Sequence, residues 1–226
     1  ATKSGFNCSI AHCNFTLRDL ESERDEQFVT ALGNQYNIQV HTKRFNTAQF
    51  AADHKISTQE AARNLRYQWF QDLLNNAKKN DASKNYYVLT AHHADDNLET
   101  FLINFSRGTG LDGLTGIPAQ NENIIRPLLH FSRQEIEHYA NQNSINWRDD
   151  CSNASDAYLR NKIRHHLVPE LKALHPDFLS SFQNTQRYLQ ESQKMVEDAS
   201  VMVYQQVAKS IGSNTHFDLI KLKQLA

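Results

Sequence analysis

Three side chains that can do acid–base chemistry stand close together in one stretch of the sequence: His92, Asp96 and Glu99. Asp96 and Glu99 are three residues apart, so on a helix they share a face, and the dipole at a helix N-terminus stabilises carboxylates. Two carboxylates and an imidazole could bind an amine or act as general acids and bases. The same residues could instead be ordinary capping charges, or part of a metal-assisted phosphohydrolase centre holding Mg²⁺.

The elements around these residues predict where they lie. Residues 86–91 (YYVLTA) form a short apolar run rich in β-branched and aromatic residues, which predicts a buried, parallel strand. From about Asp95 the apolar residues follow a helical period, and Gly108 and Gly110 stop the helix. The polar residues therefore stand at a strand-to-helix switch, the edge at which ligands bind in open α/β sheets.

The rest of the chain continues this alternation. Helical spacing covers residues 19–36, an alternating strand pattern covers 37–44, and capping-box patterns at Ser57–Glu60 and Ser132–Glu135 each open a helix. The order β, α, β, α, β, α, β, α predicts an α/β fold with a parallel, doubly wound sheet, followed by a helical segment. In the long helix expected over residues 178–209, the positions predicted to be buried are Phe178, Phe182, Leu189, Met195, Val196, Met202 and Val203.

Composition narrows the class of protein. The chain has 226 residues, 24 Lys and Arg against 25 Asp and Glu, and a net charge of -1, so any nucleic-acid-binding surface must be local. Its three cysteines, Cys8, Cys13 and Cys151, contain no Cys-x-x-Cys pair, which favours free thiols in a reducing compartment. No apolar run is long enough to span a bilayer. We expect a cytoplasmic protein that does not associate with membranes.

Two groups of basic residues are candidates for binding anions. Arg63 and Arg66 lie on the sides of the helix predicted from Ser57, away from its apolar stripe, and could equally be a solvated face. The stretch YLRNKIRHHLVPELK (158–172) contains Arg160, Lys162 and Arg164 and predicts a basic helix, although short charge runs are often ordinary surface.

Several motifs in this order resemble the tRNA(Ile)-lysidine synthetase family of PP-loop ATP pyrophosphatases. They are AHCNFTLR (11–18), ARNLRYQWF (61–69), TAHHADDNLETFLINFSRGTGLDGLTGIP (90–118), IIRPLL (124–129) and DDCSNASDAYLRNKIRHHLVPEL (149–171). The resemblance implies an adenine-nucleotide α-hydrolase (PP-loop) fold over residues 1–172, then a helical linker and the start of a tRNA-recognition domain over 173–226. It implies ligation of lysine to the wobble cytidine of isoleucine tRNA through an adenylated base.

The same resemblance suggests roles for the candidate residues. His92, Asp96 and Glu99 would be catalytic, and Arg63 and His92 would bind ATP. Arg160 and Arg164 would bind lysine or phosphate, with no basis for choosing between them, and Lys162, Arg164 and His165 would contact tRNA. ATP and Mg²⁺ are the implied cofactors, isoleucine tRNA and free L-lysine the implied partners, and a homodimer is left open. No dedicated metal site is expected.

This sequence departs from the family pattern at two places, and each limits which functional roles can be carried over to it. Family members carry a Ser-Gly-Gly-x-Asp-Ser phosphate loop upstream of the segment matched by Gly5–His12, and this sequence contains none. The sequence therefore looks truncated upstream. The chain as given is expected to lack ligase activity. In the motif His-x-Asn-His-Gly-Leu-Arg, Phe15 and Thr16 replace His and Gly. The alternatives are a sibling tRNA thiolase, which the missing Cys-x-x-Cys pair disfavours, and a non-catalytic tRNA-binding fragment.

Overall fold

The computed structural model describes residues 5–148 and 158–225, and the chain divides into two compact units, residues 1–88 and 89–226. The first unit contains, in order, β1 (Ile10–Asn14), α1 (Asp19–Tyr36), β2 (Val40–Arg44), α2 (Thr47–His54) and α3 (Thr58–Asn80). Strands β1 and β2 pair in parallel, with Ile10 opposite Val40 and Asn14 opposite Arg44. Parallel pairing requires a crossover, and α1 supplies it. The α/β class and the parallel strands predicted from the sequence are therefore confirmed.

Local sequence signals explain the ends of the helices in this unit. The Ser57 side chain accepts a hydrogen bond from the Glu60 N–H at 3.2 Å and so caps the N-terminus of α3. At the end of α1, Asn37 takes the left-handed conformation, with φ 51°, and its N–H bonds back to the helix. The core of the unit is an aromatic cluster of Phe45, Trp69 and Phe70.

The second unit begins at Leu89, which is the second residue of the short strand β3 (Val88–Leu89). Its further elements are α4 (Ala94–Arg107), α5 (Leu111–Leu114), β4 (Gln120–Asn121), β5 (Ile124–Ile125), α6 (Arg133–Gln142), α7 (Leu159–Lys162), a π-helical turn (Ile163–Leu167), α8 (Val168–Leu174), α9 (Phe178–Val207), β6 (Ala208–Ile211), β7 (Asn214–Phe217) and α10 (Leu219–Leu225). A three-stranded sheet has the order β3–β5–β4, and β6 and β7 form an antiparallel hairpin.

The hydrophobic core of the second unit joins four helical segments. Leu98 of α4, Ile163 of the π-helical turn, Val168 of α8 and Phe182 of α9 are all buried. The helix that carries Asp96 and Glu99, α4, is therefore fixed by its apolar face, and its polar N-terminus is held in one position. None of the helices in the described residues has the length and apolar character that crossing a bilayer requires.

Two burial predictions were wrong. The strand predicted over residues 86–91 is paired only at β3, and Tyr87 and Leu89 are exposed. The alternation of a strand explains this, because Val88 packs on the aromatic cluster while its neighbours face the other way. In α9, Met195, Val196 and Met202 are exposed, since the core contacts of this helix are concentrated near Phe178 and Phe182.

Candidate functional site

The N-terminus of α4 is closed by a reciprocal cap. His93 is the N-cap residue, and its Nδ1 accepts a hydrogen bond from the Asp96 N–H at 3.3 Å. In return, Asp96 Oδ2 accepts the His93 N–H at 3.0 Å. This exchange is a capping box with histidine in place of the usual serine or threonine. It fixes the orientation of the Asp96 carboxylate at the start of the helix.

One turn further along α4, Glu99 accepts hydrogen bonds from two arginines. Arg164 donates from Nε to Oε1 at 2.6 Å and from Nη2 to Oε2 at 2.9 Å, which is a bidentate pair. Arg160 donates from Nε to Oε2 at 2.8 Å. Glu99 is only 1% exposed, so this carboxylate is buried and satisfied by guanidinium groups. The spacing of Asp96 and Glu99 along the helix did not indicate this burial.

Both arginines also reach the first turns of α4. Arg160 Nη2 donates to Thr100 Oγ1 at 3.1 Å and to the Asp96 carbonyl at 3.2 Å. Arg164 Nη2 donates to Asp96 Oδ1 at 3.3 Å. Asp96, Glu99, Arg160 and Arg164 thus form one group with two positive and two negative charges, which we call the carboxylate–guanidinium cluster. The hydrogen bond with Glu99 raises the pKa of Arg164, so this side chain stays cationic at any relevant pH.

The π-helical turn explains how two arginines reach one carboxylate. Arg160 and Arg164 are four residues apart and lie on one face of the segment formed by α7 and the turn. Asn161, Ile163 and Val168 are buried on its other sides, so the segment is fixed on both faces. Short π-helical turns inside helices occur frequently at functional sites. No feature of the sequence predicted this one.

A second buried carboxylate ties α4 to two other helices. Asp95 Oδ2 accepts the Arg133 N–H at 2.8 Å at the start of α6, and Asp95 Oδ1 forms an ion pair with Lys172 of α8. Burial alone would raise the pKa of Asp95, but the hydrogen bonds from Lys172 and Arg133 outweigh it, and the pKa is lowered. Asp95 is therefore ionised and holds three helix segments together.

An amide pair anchors the other side of α4. Asn97 donates from Nδ2 to Gln186 Oε1 of α9 and accepts the Ile117 N–H on Oδ1 at 2.7 Å. Both amide side chains are buried. Gly116 lies against them with φ 78°, a conformation that glycine adopts without strain. The pair fixes the loop that follows α5 to the helix that carries Glu99.

The structure brings four of the predicted site residues together, namely the members of the carboxylate–guanidinium cluster. His92 lies just before its N-terminal cap, with Nδ1 3.0 Å from Thr90 Oγ1. Lys162 is exposed and His165 is half-buried on the same basic segment. Arg63 belongs to the first unit, where its guanidinium lies 4.8 Å from the centroid of the Tyr67 ring.

Other residues of this region were missed by sequence reasoning. Asp95 marked only the approximate start of the predicted helix, and its partner Lys172 is 77 positions away, with no periodic relation to it. No pattern in the sequence marked Asn97 as a residue of the site. His93 could have been recognised as a cap from Asp96 three residues later, had histidine been considered an N-cap residue. Residues 149–157, which include Cys151, lie outside the described part of the chain.

No metal-binding group is found in the residues that the structure describes, 5–148 and 158–225. His93, Asp95 and Asp96 lie near one another, but they are occupied by caps, by Lys172 and by Arg164.

Comparison with known proteins identifies the family. The sequence profile of the PP-loop domain matches residues 1–171. The chain belongs to the PP-loop domain family. The family relationship agrees with the α/β fold and with polar residues at the start of a helix that follows a strand.

Curated relatives within the PP-loop family share one name. The chain is 40% identical over 204 residues to the tRNA(Ile)-lysidine synthase of Bacteroides thetaiotaomicron, covering 88% of this chain and 46% of the relative. It is 42% identical over 187 residues to that of Porphyromonas gingivalis W83, covering 82% and 40%, and 33% identical over 224 residues to that of Bacillus subtilis, covering 97% and 46%. The chain therefore spans about half the length of the curated relatives it matches.

A solved structure supports the PP-loop fold independently. The chain resembles the U34-tRNA thiolase NcsA from Methanococcus maripaludis, solved with its 4Fe-4S cluster, with a TM-score of 0.60 at 14% identity. The similarity covers 80% of this chain and 61% of the thiolase. At this level of identity the likeness concerns the fold alone.

Proposed function

We propose that the chain is the PP-loop part of an enzyme that ligates lysine to the wobble cytidine of isoleucine tRNA, with ATP cleaved to AMP and pyrophosphate. The observation that carries this proposal is the carboxylate–guanidinium cluster, which combines groups for an amine with groups for an anion. Lysine, as a free amino acid, presents both. The identity to lysidine synthases over 88% of the chain supports the same reaction.

The proposed reaction has two steps. The C2 carbonyl oxygen of cytosine attacks the α-phosphorus of ATP and expels pyrophosphate, which leaves an adenylated base with an electrophilic C2. The ε-amine of lysine then attacks C2, loses a proton and displaces AMP. Positioning and charge neutralisation account for most of the catalysis of such steps.

Within the cluster, we assign the amine to Asp96 and the anion to the arginines. The Asp96 side chain is 16% exposed, whereas that of Glu99 is 1% exposed and accepts three guanidinium hydrogen bonds. For Glu99 to pair with an ammonium group, one guanidinium would have to leave. Glu99 therefore orients the guanidinium groups of Arg160 and Arg164, and these groups are proposed to bind a carboxylate or a phosphate. His92 is proposed to contact the nucleotide, with its ring oriented by Thr90.

ATP use follows from the PP-loop family, and Arg63 is proposed to contact its phosphates. Mg²⁺ is proposed to be bound mainly by the ATP phosphates and by water, as is usual for this ion. When bound to ATP, Mg²⁺ would neutralise the phosphates and stabilise the leaving pyrophosphate.

The tRNA is proposed to contact the basic segment through the exposed Lys162 and the half-buried His165. Residues 1–172 are proposed as the PP-loop domain, with 173–226 as a linker and the start of a tRNA-recognition domain, and the end of the family match at residue 171 supports that division. A cytoplasmic location and a homodimer remain predictions.

The thiolase alternative is not favoured. The curated relatives described above are lysidine synthases at 33–42% identity, whereas the thiolase is 14% identical. In the described part of the chain, Cys8 and Cys13 are free thiols, and no group of cysteines that could hold a cluster is present.

The test is incorporation of labelled lysine into an isoleucine tRNA transcript with a CAU anticodon, using the chain extended upstream with a Ser-Gly-Gly-x-Asp-Ser phosphate loop. We expect labelled tRNA and AMP to form only when lysine is present. The Asp96→Asn variant should form neither product. Sulfur transfer to the tRNA, or release of AMP that depends neither on tRNA nor on lysine, would contradict the proposed function.

A further inference from the structure

Four glutamines lie along one face of α9. Gln183, Gln186, Gln190 and Gln193 are spaced by three, four and three residues, which places their side chains on one side of the helix. Each side-chain amide bonds to another part of the second unit. The first of them, Gln183, donates from Nε2 to the His130 carbonyl at 3.0 Å. We call these four residues the glutamine ladder.

Two members of the ladder bind α5 and the residue that follows it. Gln190 Nε2 donates to the Thr115 carbonyl at 2.8 Å, and Gln193 Nε2 donates to Asp112 Oδ1 at 2.7 Å. Gln190 is exposed and Gln193 is half-buried, so water competes for both bonds. Such bonds contribute little to stability, but they have a defined length and direction. They therefore fix where α5 lies along α9.

Gln186 is the buried member of the ladder. It is 3% exposed, and its partner Asn97 in α4 is 6% exposed. Asn97 Nδ2 donates to Gln186 Oε1 at 2.5 Å, and Gln186 Nε2 donates to Asn97 Oδ1 at 3.4 Å, so the two amides bond in both directions. Asn97 Oδ1 also accepts the Ile117 N–H. Loss of the Gln186 amide would leave a buried donor of Asn97 without its partner.

The middle of α9 has little apolar packing. In the described residues of this helix, the buried side chains are Phe182, Gln186 and Val207. Phe182 belongs to the hydrophobic core, and Val207 is the last residue of the helix. Burial of apolar surface is non-directional, whereas a hydrogen bond requires a defined distance and angle. The ladder therefore sets the register of α9 against α4 and α5.

The buried amide pair lies next to both carboxylates of the carboxylate–guanidinium cluster. Asp96 directly precedes Asn97, and Glu99 follows it two residues later. Arg160 and Arg164 hold these carboxylates on one face of α4, and Asn97 is held on another face. A shift of the helix at Asn97 would move both carboxylates. A misplacement of about 1 Å can slow a reaction roughly 10²-fold.

We propose that Gln186 is a positioning residue for lysine transfer. Through Asn97 it sets the position of Asp96 and Glu99 relative to the base that receives lysine. Gln190 and Gln193 support the same position by holding α5, whose following loop ends at the amide pair. The reaction named in this proposal rests on the proposed function, but the contacts that hold α4 do not.

The kinetic experiment measures kcat and the KM for lysine in labelled-lysine incorporation, with the chain extended upstream by the phosphate loop. Gln186→Met keeps the length of the side chain but removes the amide. Gln186→Glu keeps an oxygen that can accept the Asn97 amide. Gln190→Ala with Gln193→Ala removes two bonds of the ladder and leaves the buried pair intact.

The matched control is Gln205→Ala with Gln206→Ala. These two glutamines are exposed in the last turn of the same helix, outside the ladder. Circular dichroism and urea unfolding give the folded fraction of every variant. A role in stability alone would lower that fraction and leave kcat per folded enzyme unchanged.

We expect Gln186→Met to lower kcat about 10- to 100-fold and to change the KM for lysine less than about threefold, because misplaced groups act mainly on the transition state. Gln186→Glu should stay within about fivefold of the parent, since the stronger bond of the amide pair is kept. The variant lacking the Gln190 and Gln193 amides should lose roughly three- to tenfold in kcat. The control should match the parent.

Hydrogen exchange of the 226-residue chain tests the position of α4 without the reaction. In Gln186→Met, the amides of residues 97–100 and the Ile117 N–H should exchange at least about tenfold faster than in the parent. The amides of α3, which belongs to the first unit, should exchange at the parent rate.

Two kinetic results would overturn the proposal. One is a parent-like kcat in both Gln186→Met and the variant that lacks the Gln190 and Gln193 amides. The other is an unchanged kcat with a raised KM for lysine, which would assign Gln186 to substrate binding. If Gln186→Met does not fold, the Gln190 and Gln193 variant decides alone, by comparison with the control.

Failure of the proposed function gives a different result. A parent enzyme that transfers no lysine contradicts the proposed function, and hydrogen exchange then still decides whether Gln186 holds α4. Parent-like exchange at residues 97–100 and at Ile117 in Gln186→Met would overturn the positioning role while lysine transfer by the parent stands.

Discussion

Glu99 and Arg164 form a two-point hydrogen-bonded pair, 2.6 Å from Nε to Oε1 and 2.9 Å from Nη2 to Oε2, with the carboxylate almost fully buried. Sixty-five residues separate the two in sequence. The pair joins the helix that follows β3 to the basic segment, so one contact sets both the position of the arginines and the stability of the region. A substitution at Glu99 should therefore affect both, which is not expected for Asp96.

Glu99→Gln should destabilise the fold by about 3 kcal/mol, because it leaves two guanidinium groups against a neutral, buried partner. This destabilisation is at the low end of the range for breaking a buried ion pair, because the Arg160 side chain is 41% exposed. Asp96→Asn should cost within about 1 kcal/mol, because the amide oxygen can still accept the His93 N–H. Urea unfolding measures both.

The matched control is Glu137→Gln, which breaks the exposed i,i+4 pair with Arg133 and should change stability by less than about 0.5 kcal/mol. Equal stabilities for Glu99→Gln and the control would show that the buried pair contributes nothing to folding. In the enzyme extended with a phosphate loop, both Asp96→Asn and Glu99→Gln should abolish lysine transfer.

Asp95 should make the stability of the second unit pH-dependent in the acid range. Its pKa is lowered from the ordinary value of 3.8 in the folded state, so its contribution is present above that value and is lost as pH falls through the folded pKa. The stability difference between the parent and Asp95→Asn should therefore be largest above about pH 5. It should shrink toward pH 2.

Urea unfolding at intervals from pH 6 to pH 2 checks this expectation. Asp53→Asn is the control, because Asp53 is an exposed carboxylate whose side chain, among the described residues, bonds only to Gln49. A constant difference between the parent and Asp95→Asn across the whole range would show that the pair with Lys172 does not contribute through charge.

Gly116→Ala should destabilise the protein by about 2 kcal/mol or more. Gly116 has φ 78°, and a Cβ atom there would collide with the Asn97 and Gln186 side chains, which are themselves buried and hydrogen-bonded. Gly110→Ala is the matched control, since its φ is −74° and a Cβ atom meets nothing within 4 Å. Thermal unfolding of both variants measures the difference. Equal melting temperatures would mean that the amide pair moves aside freely.

Lys162→Ala should weaken tRNA binding without affecting the fold. Lys162 is exposed on the basic segment, so its loss should reduce the salt slope of binding by roughly 0.7–0.9, the share of one phosphate contact. Lys78→Ala, an exposed lysine at the end of α3, should leave the slope unchanged. A parent-like slope for Lys162→Ala would show that this lysine faces only solvent. Arg164→Ala should instead lower stability, because it removes the main partner of Glu99.

Local patterns predicted much of the secondary structure. The helical spacing of residues 19–36, the serine caps at Ser57 and Ser132, and the glycine stop at Gly108 all correspond to observed helix ends. These signals are readable because capping and periodicity act within a few residues of the chain. The alternation of strands and helices gave the α/β class for the same reason.

The sequence by itself also determined which residue types carry the proposed chemistry: Asp96 and Glu99 one turn apart on a helix that follows a strand, and a basic segment containing Arg160 and Arg164. Tertiary structure alone decided that these residues meet and that Glu99 is buried. The partners of Asp95 and Asn97, and the stacking of Phe15 on Phe45, likewise follow from packing between distant segments. Ion pairs and ring contacts act over a few ångströms in space and leave no periodic trace along the chain.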